Sequence, residues 1–175
     1  MSLTSPRRDW LLRRLLPLWR IIPTWLQWRL MWLVNAKFSL GVTGIVFDDR
    51  GRVMLLKHTF RHAYPWGLVS GWVMRGETLH QALQREVAEE TSLTVQIGPL
   101  FRVRQDRRRF SVEVVYLCRL LGGVFRPNNE ITAIRWCPLD ELPPGVHPEH
   151  YPLIREAARF AARGVSSPVG VASGE

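Results

Sequence analysis

Glu86, Glu89 and Glu90 are the residues of this chain whose type and spacing most directly suggest chemistry. On a helix over residues 78–91, Glu86 and Glu90 lie one turn apart and Glu86 and Glu89 three residues apart, so the three carboxylates share a face. Bare carboxylates at that spacing repel by a few tenths of a kcal/mol per pair. A hard divalent cation reverses the sign, because Mg²⁺ takes carboxylate oxygens and keeps waters for substrate phosphates. Arg85 stands four residues before Glu89 and eight after Glu77, so it can pair with either acid. The other reading is an acidic face that does no more than face solvent.

The elements that must hold this face follow from pattern and punctuation. Thr78–Thr91 lacks Gly and Pro and reads as a helix, with Leu79, Ala82, Leu83 and Val87 on its apolar side. Phe38–Phe47 and Arg52–His58 read as strands of a hairpin around Asp48–Gly51. Tyr64–Val69 reads as a short strand, and Val95–Arg104 and Phe110–Leu120 as strands joined at a charged turn, Asp106–Arg109. Ile131–Trp136 is a further strand, and Pro148–Arg163 a last helix with Leu153, Ala157 and Phe160 on one side. Gly164 stops that helix, and Val165–Glu175 is expected to fray. Strands, a helix, more strands and a final helix predict an α+β domain or an α/β/α layered one.

The stretch from Gly71 to Leu93 resembles the Nudix box, G-x5-E-x7-R-E-U-x-E-E-x-G-U with U aliphatic. Gly71, Glu77, Arg85, Glu86, Val87, Glu89, Glu90 and Leu93 fall on their places, and Ser92 replaces the second glycine. Phe38–Phe47 with Arg52–His58 looks like the family's opening hairpin, Trp66–Leu68 like its approach to the box, and Trp136–Pro143 like its closing strand and turn. The resemblance implies an α/β (α+β) fold, a Nudix-like α/β/α sandwich with a mixed central sheet, and hydrolysis of a diphosphate linking a nucleoside to another moiety. It implies that Glu86, Glu89 and Glu90 hold Mg²⁺ or Mn²⁺, that Gly71 offers its backbone carbonyl, and that Arg85 orients a carboxylate. Glu89 and Glu130 are the candidate bases; Glu130 lies 40 residues past Glu90, just before a strand. Two departures stand out. Ser92 must adopt a left-handed conformation at a cost on the order of 1 kcal/mol, and Val69-Ser70 replaces the family's Pro-Gly in the loop before the box. That altered loop motivates the alternative, a non-catalytic nucleotide-binding or membrane-recruited module.

The 175 residues fit one domain, residues 38–164, flanked by an arm over 1–37 and a disordered tail over 165–175. Lys and Arg outnumber Asp and Glu 24 to 15, giving a net charge of +9 and an attraction to anionic partners. The arm carries seven of those basic residues against Asp9 alone, with five of the eight tryptophans. Its arginines interrupt every apolar run, which excludes a membrane span and fits a signal peptide poorly. Leu11, Leu12, Leu15, Leu16, Trp19 and Ile22 share a helical face, Pro17 interrupts it, and a second segment runs from Thr24, as N-cap, through Asn35. This second segment is apolar nearly all round, which suits burial. The arm is thus either packed on protein, its own domain or a homodimer partner, or is a peripheral contact of residues 1–36 with an anionic membrane, which would hold a cytoplasmic protein at the inner face. Nucleic acid is an unlikely partner.

Two cysteines, Cys118 and Cys137, are too few for a disulfide framework. His58, His62, His80, His147 and His150 show no zinc-like spacing. Arg102, Arg104 and Arg107–Arg109 are expected on a solvated hairpin or against phosphates. Trp66, Trp72, Phe101 and Phe110 are expected in the core or stacked on a base.

Overall fold

Alternation sorts the side chains of each central strand onto two faces, and each face is covered by a helix. The computed structural model describes residues 20–35, 37–106 and 110–162. These carry α1 (Thr24–Val34), β1 (Ser39–Phe47), β2 (Val53–His58), β3 (Trp66–Gly67), β4 (Val69–Trp72), α2 (Leu79–Thr91), β5 (Leu93–Asp106), β6 (Ser111–Gly123), β7 (Ile131–Cys137) and α3 (His150–Ala162). The chain divides into two units, Met1–Lys37 and Phe38–Glu175.

The second unit is built on one seven-stranded mixed sheet, in which the path β3-β2-β1-β6-β5 is joined by β4 on β1 and β7 on β2. Val42, Val46, Met54 and Leu56 point to one side and pack with Leu83 and Val87 of α2. Ile45, Val53 and Leu55 point to the other and pack with Leu153, Ile154 and Ala157 of α3. The α/β/α sandwich is therefore present.

The expected hairpin is only nominal. β1 and β2 pair at Phe47–Val53 alone. A strand has two edges, and those of β1 are taken by β6, in parallel from Ser39–Ser111 to Phe47–Arg119, and by β4 over Gly41–Gly44. β2 turns instead to β7, from Val53–Cys137 to His58–Ile131. The short strand expected over Tyr64–Val69 is displaced too. Its second half runs on through Ser70 and Gly71 to Trp72, so the loop expected before the box is a strand held on β1 by the pairs Gly44–Val69 and Thr43–Ser70.

Helix α2 starts one residue later than expected because Thr78 caps it. Gln81 N–H donates to Thr78 Oγ1 at 3.2 Å while Thr78 N–H donates to Gln81 Oε1 at 2.8 Å, a reciprocal pair that satisfies two orphan donors. Ser92 ends the helix at φ 59°, the left-handed turn that the missing glycine required.

Helix α1 corrects one expectation. Its N-cap is Pro23, with no side-chain cap, so Thr24 is already helical. Trp25, Trp28 and Trp32 are exposed. The expected face from Leu11 to Trp19, the turn residues 107–109 and the tail over 165–175 lie outside the described residues. Among the described residues no helix is long and apolar enough to cross a membrane.

Candidate active site

Arg85 organises the acidic face. It donates from Nε and Nη2 to the two oxygens of Glu77 at 3.2 and 2.8 Å, from Nη1 to Glu86 at 2.7 Å and Glu89 at 3.1 Å, and from Nη2 to the Trp72 carbonyl at 3.0 Å. One planar fork thereby ties the loop before α2, the end of β4 and the helix face together. These hydrogen bonds, those to Glu77 first, raise the Arg85 pKa, and the Glu77 carboxyl is held low chiefly by Arg85.

Gly71 lies on β4 opposite Val42, with the Glu86 carboxylate directly against it. A Cβ at this position would overlap the Glu86 carboxyl group, so only glycine lets that carboxylate lie on the strand.

Glu90 differs from its neighbours. It is only 7% exposed, its Oε2 has no hydrogen-bond partner among the described residues, and burial, followed by the nearby Glu86 charge, pushes its pKa up to about 8. Arg85 does not reach it; the cation that acts on it is Arg61.

The loop that brings Glu130 in is fastened by Asn128. Its side-chain amide donates to the Glu89 carbonyl at 2.8 Å, and its Oδ1 accepts from the Glu130 and Ile131 N–H groups at 2.9 and 2.7 Å. Glu86, Glu89, Glu90 and Glu130 consequently line one pocket of about 270 Å³. A larger open cleft of about 1330 Å³ adjoins it, lined by Gly71, Glu86, Glu90 and Glu130 and also by Arg61, His147 and His150.

A set of carboxylate oxygens around a buried, unpartnered one fits a hard divalent cation. As they stand, no three acidic, His or Cys side chains among the described residues converge into a ready ligand cage. The reason is visible in the hydrogen bonds: Glu86 and Glu89 are both turned onto Arg85.

Residues 37–157 match the family model of the NUDIX domain. The chain belongs to the Nudix family. The sequence is 33% identical over 104 residues to a MutT-like protein of Streptomyces ambofaciens, covering 59% of this chain and 66% of that protein. It is 32% identical over 107 residues to the 8-oxo-dGDP phosphatase NUDT18 of Homo sapiens, covering 58% of this chain and 33% of that one. The chain thus spans one third to two thirds of the length of these relatives. Among solved structures, an ADP-ribose pyrophosphatase from Streptococcus suis matches at 30% identity and a TM-score of 0.56, over 70% of this chain and 93% of that one. A Nudix hydrolase from Nitrosomonas europaea matches at 25% identity and a TM-score of 0.66, over 76% and 77%.

Against that family frame, the structure gathers Gly71, Arg85, Glu86, Glu89, Glu90 and Glu130 around one pocket and its margin. It removes other candidates. Arg102 is paired with Glu156 and Arg104 with Glu113 and Glu149, while Phe101 packs on Phe160 of α3 and Phe110 on Phe38. Trp66 packs against the core, and Trp72 remains exposed at the cleft. Two residues escaped the sequence reading. Asn128 carried a faint signal, an Asn-Asn pair before a strand, which favours a side-chain-stabilised turn. Arg61 carried none, since a lone arginine in a loop is ordinary. The histidines, scattered in sequence, include three that converge: His58 and His150 both approach Gly67, and His147 lies 5.2 Å ring to ring from His150.

Proposed function

We propose that this Nudix protein hydrolyses a diphosphate that links a nucleoside to another moiety, with Mg²⁺ or Mn²⁺ as cofactor. The observation that carries the reading is the buried Glu90 oxygen without a partner at the head of a four-glutamate pocket. A carboxylate in that state is held for a cation, because an isolated buried charge is costly unless it is paired or ligating. Glu86, Glu89, Glu90 and the Gly71 carbonyl are the proposed ligands. A bound divalent ion supplies neutralisation of phosphate charge and a water of lowered pKa.

The chain's own residues do the rest. Arg85 orients Glu86 and Glu89 from a point anchored on Glu77 and Trp72. Glu89 or Glu130 takes the proton of the attacking water; Glu89 is steadied by Arg85, whereas Glu130 is fixed by the Asn128 turn. Relatives named as an ADP-ribose pyrophosphatase and an 8-oxo-dGDP phosphatase support a nucleoside diphosphate group as the common denominator.

The test is release of phosphate or nucleotide from a panel of nucleoside triphosphates, ADP-ribose, dinucleotides and dinucleoside polyphosphates, with Mg²⁺ or Mn²⁺, beside Glu90→Gln. Hydrolysis of one class that the variant has lost supports the enzyme. Silence across the panel from folded protein returns the weight to a non-catalytic binding module.

For the arm we propose peripheral contact with an anionic bilayer. Helix α1 exposes Trp25, Trp28, Trp32 and Leu33 together with Arg29, and the arm's net positive charge complements anionic headgroups.

A further inference from the structure

We infer that Arg61, with His147 and His150, forms an anion subsite that takes the substrate phosphate lying beyond the glutamates. The starting point is an inventory of unmet polar groups. Three buried side-chain atoms lack a partner among the described residues: Glu90 Oε2, His58 Nε2 and His147 Nδ1. One belongs to the acidic pocket. His147 lines the same cleft as Glu90, and His58 lies with Arg61 and His150 around Gly67.

Arg61 is half-buried, yet among the described residues it makes no hydrogen bond and no ion pair. Burial lowers its pKa, opposed by the Glu90 charge alone. Its guanidinium lies across Gly67, where an added Cβ would come within 2.7 Å of Nη1, so the bare backbone there is what lets the side chain reach the cleft. The cleft's other described arginine, Arg104, is occupied by Glu113 and Glu149. No Arg61 nitrogen is among the buried unpartnered atoms, so its donors reach the cleft's water and are free to take an anion, whose phosphate oxygens its planar fork matches.

His150 adds a donor rather than charge. His150 Nδ1 accepts the Leu68 N–H at 3.3 Å, which puts its proton on Nε2. Burial lowers the pKa of His58 to about 4 and of His150 to about 3, so both are neutral near pH 7. A cation is thereby disfavoured at this end, where Arg61 is charged, and an anion is favoured. That the anion is a phosphate of the substrate rests on the hydrolase reading above; the subsite itself does not.

The test measures binding of inorganic pyrophosphate to the full chain in EDTA, by calorimetry, for wild type, Arg61→Met, Arg61→Lys and His147→Gln. We expect metal-free binding that weakens at least ~10-fold in Arg61→Met, recovers partly in Arg61→Lys, and weakens less in His147→Gln. Under turnover, KM should rise by a similar factor in Arg61→Met while kcat changes far less. Circular dichroism shows whether Arg61→Met is folded, and if it is not, the Arg61→Lys and His147→Gln pair carries the comparison. Equal pyrophosphate affinity in wild type and the folded Arg61 variants, or no binding by wild type, overturns the subsite. The two readings fail separately: loss of hydrolysis across the panel with Arg61-dependent binding intact sinks only the enzyme, and Glu90-dependent hydrolysis with an Arg61-independent KM sinks only the subsite.

Discussion

Gly71→Ala tests the site by shape alone, since it alters no charge and no proposed side-chain ligand. The new Cβ overlaps the Glu86 carboxyl group. Non-bonded carbons settle near ~3.5–4.0 Å, so the carboxylate must retreat by about an ångström or more. That retreat breaks the 2.7 Å bond from Arg85 Nη1 to Glu86, between side chains that are 21% and 15% exposed. A charge-assisted bond so shielded contributes about 1–2 kcal/mol, which in a chain of this length lowers Tm by roughly 2–8 °C. A misplacement of ~1 Å in a catalytic group costs on the order of 10²-fold in rate. The assay pairs calorimetric Tm in EDTA with kcat on the substrate found by the panel, for Gly71→Ala, Glu86→Ala and the double variant. Truncating Glu86 removes the atoms that clash, so the double variant should be more stable than the sum of the single effects, while kcat stays low. Wild-type turnover in Gly71→Ala, or strictly additive stabilities, would refute the argument that this glycine exists to seat Glu86.

Other outcomes follow from the same geometry. Glu90→Gln should lose at least ~10² in kcat while remaining folded. A carboxyl whose pKa rises from 4.5 to about 8 on folding takes up a proton, so metal-free wild type loses stability as pH climbs through that window; the Tm of Glu90→Gln in EDTA should therefore gain on wild type between pH 4.5 and 8, and a constant difference would contradict the orphaned carboxylate. Ser92→Gly should raise Tm by about 2–4 °C, because glycine relieves roughly 1 kcal/mol of left-handed strain at φ 59°; an unchanged or lower Tm would speak against strain at this cap. The 175-residue chain should sediment with phosphatidylglycerol vesicles at low salt, a chain lacking residues 1–36 should not, and failure of the 175-residue chain to bind would dismiss the membrane contact.

Sequence alone carried the acidic face well, because helix periodicity and the Arg85 spacing are local relations, whereas the equally local Thr78–Gln81 cap went unread. The strand boundaries came within a few residues for the same reason. What local pattern does not encode is which edges meet. The parallel β1–β6 ladder, and with it the opening of the β1–β2 hairpin, follows from competition for edges between segments far apart in sequence. Arg61 was invisible for a related reason: its importance comes from the partners it lacks, and no spacing records a missing partner.

The β1–β6 ladder has a consequence in time as well as in space. Each pair, from Ser39–Ser111 to Phe47–Arg119, joins residues 72 apart, and the whole of β4 and α2 lies inside that loop. During synthesis at ~5–20 residues per second, β1 waits for its parallel neighbour for several seconds after it is made. The glutamate helix is thus made before the strand that pairs with β1, and Glu130 of the pocket is made later than both. Such long-range pairing slows folding, and the acidic pocket cannot be complete until residue 130 has been added.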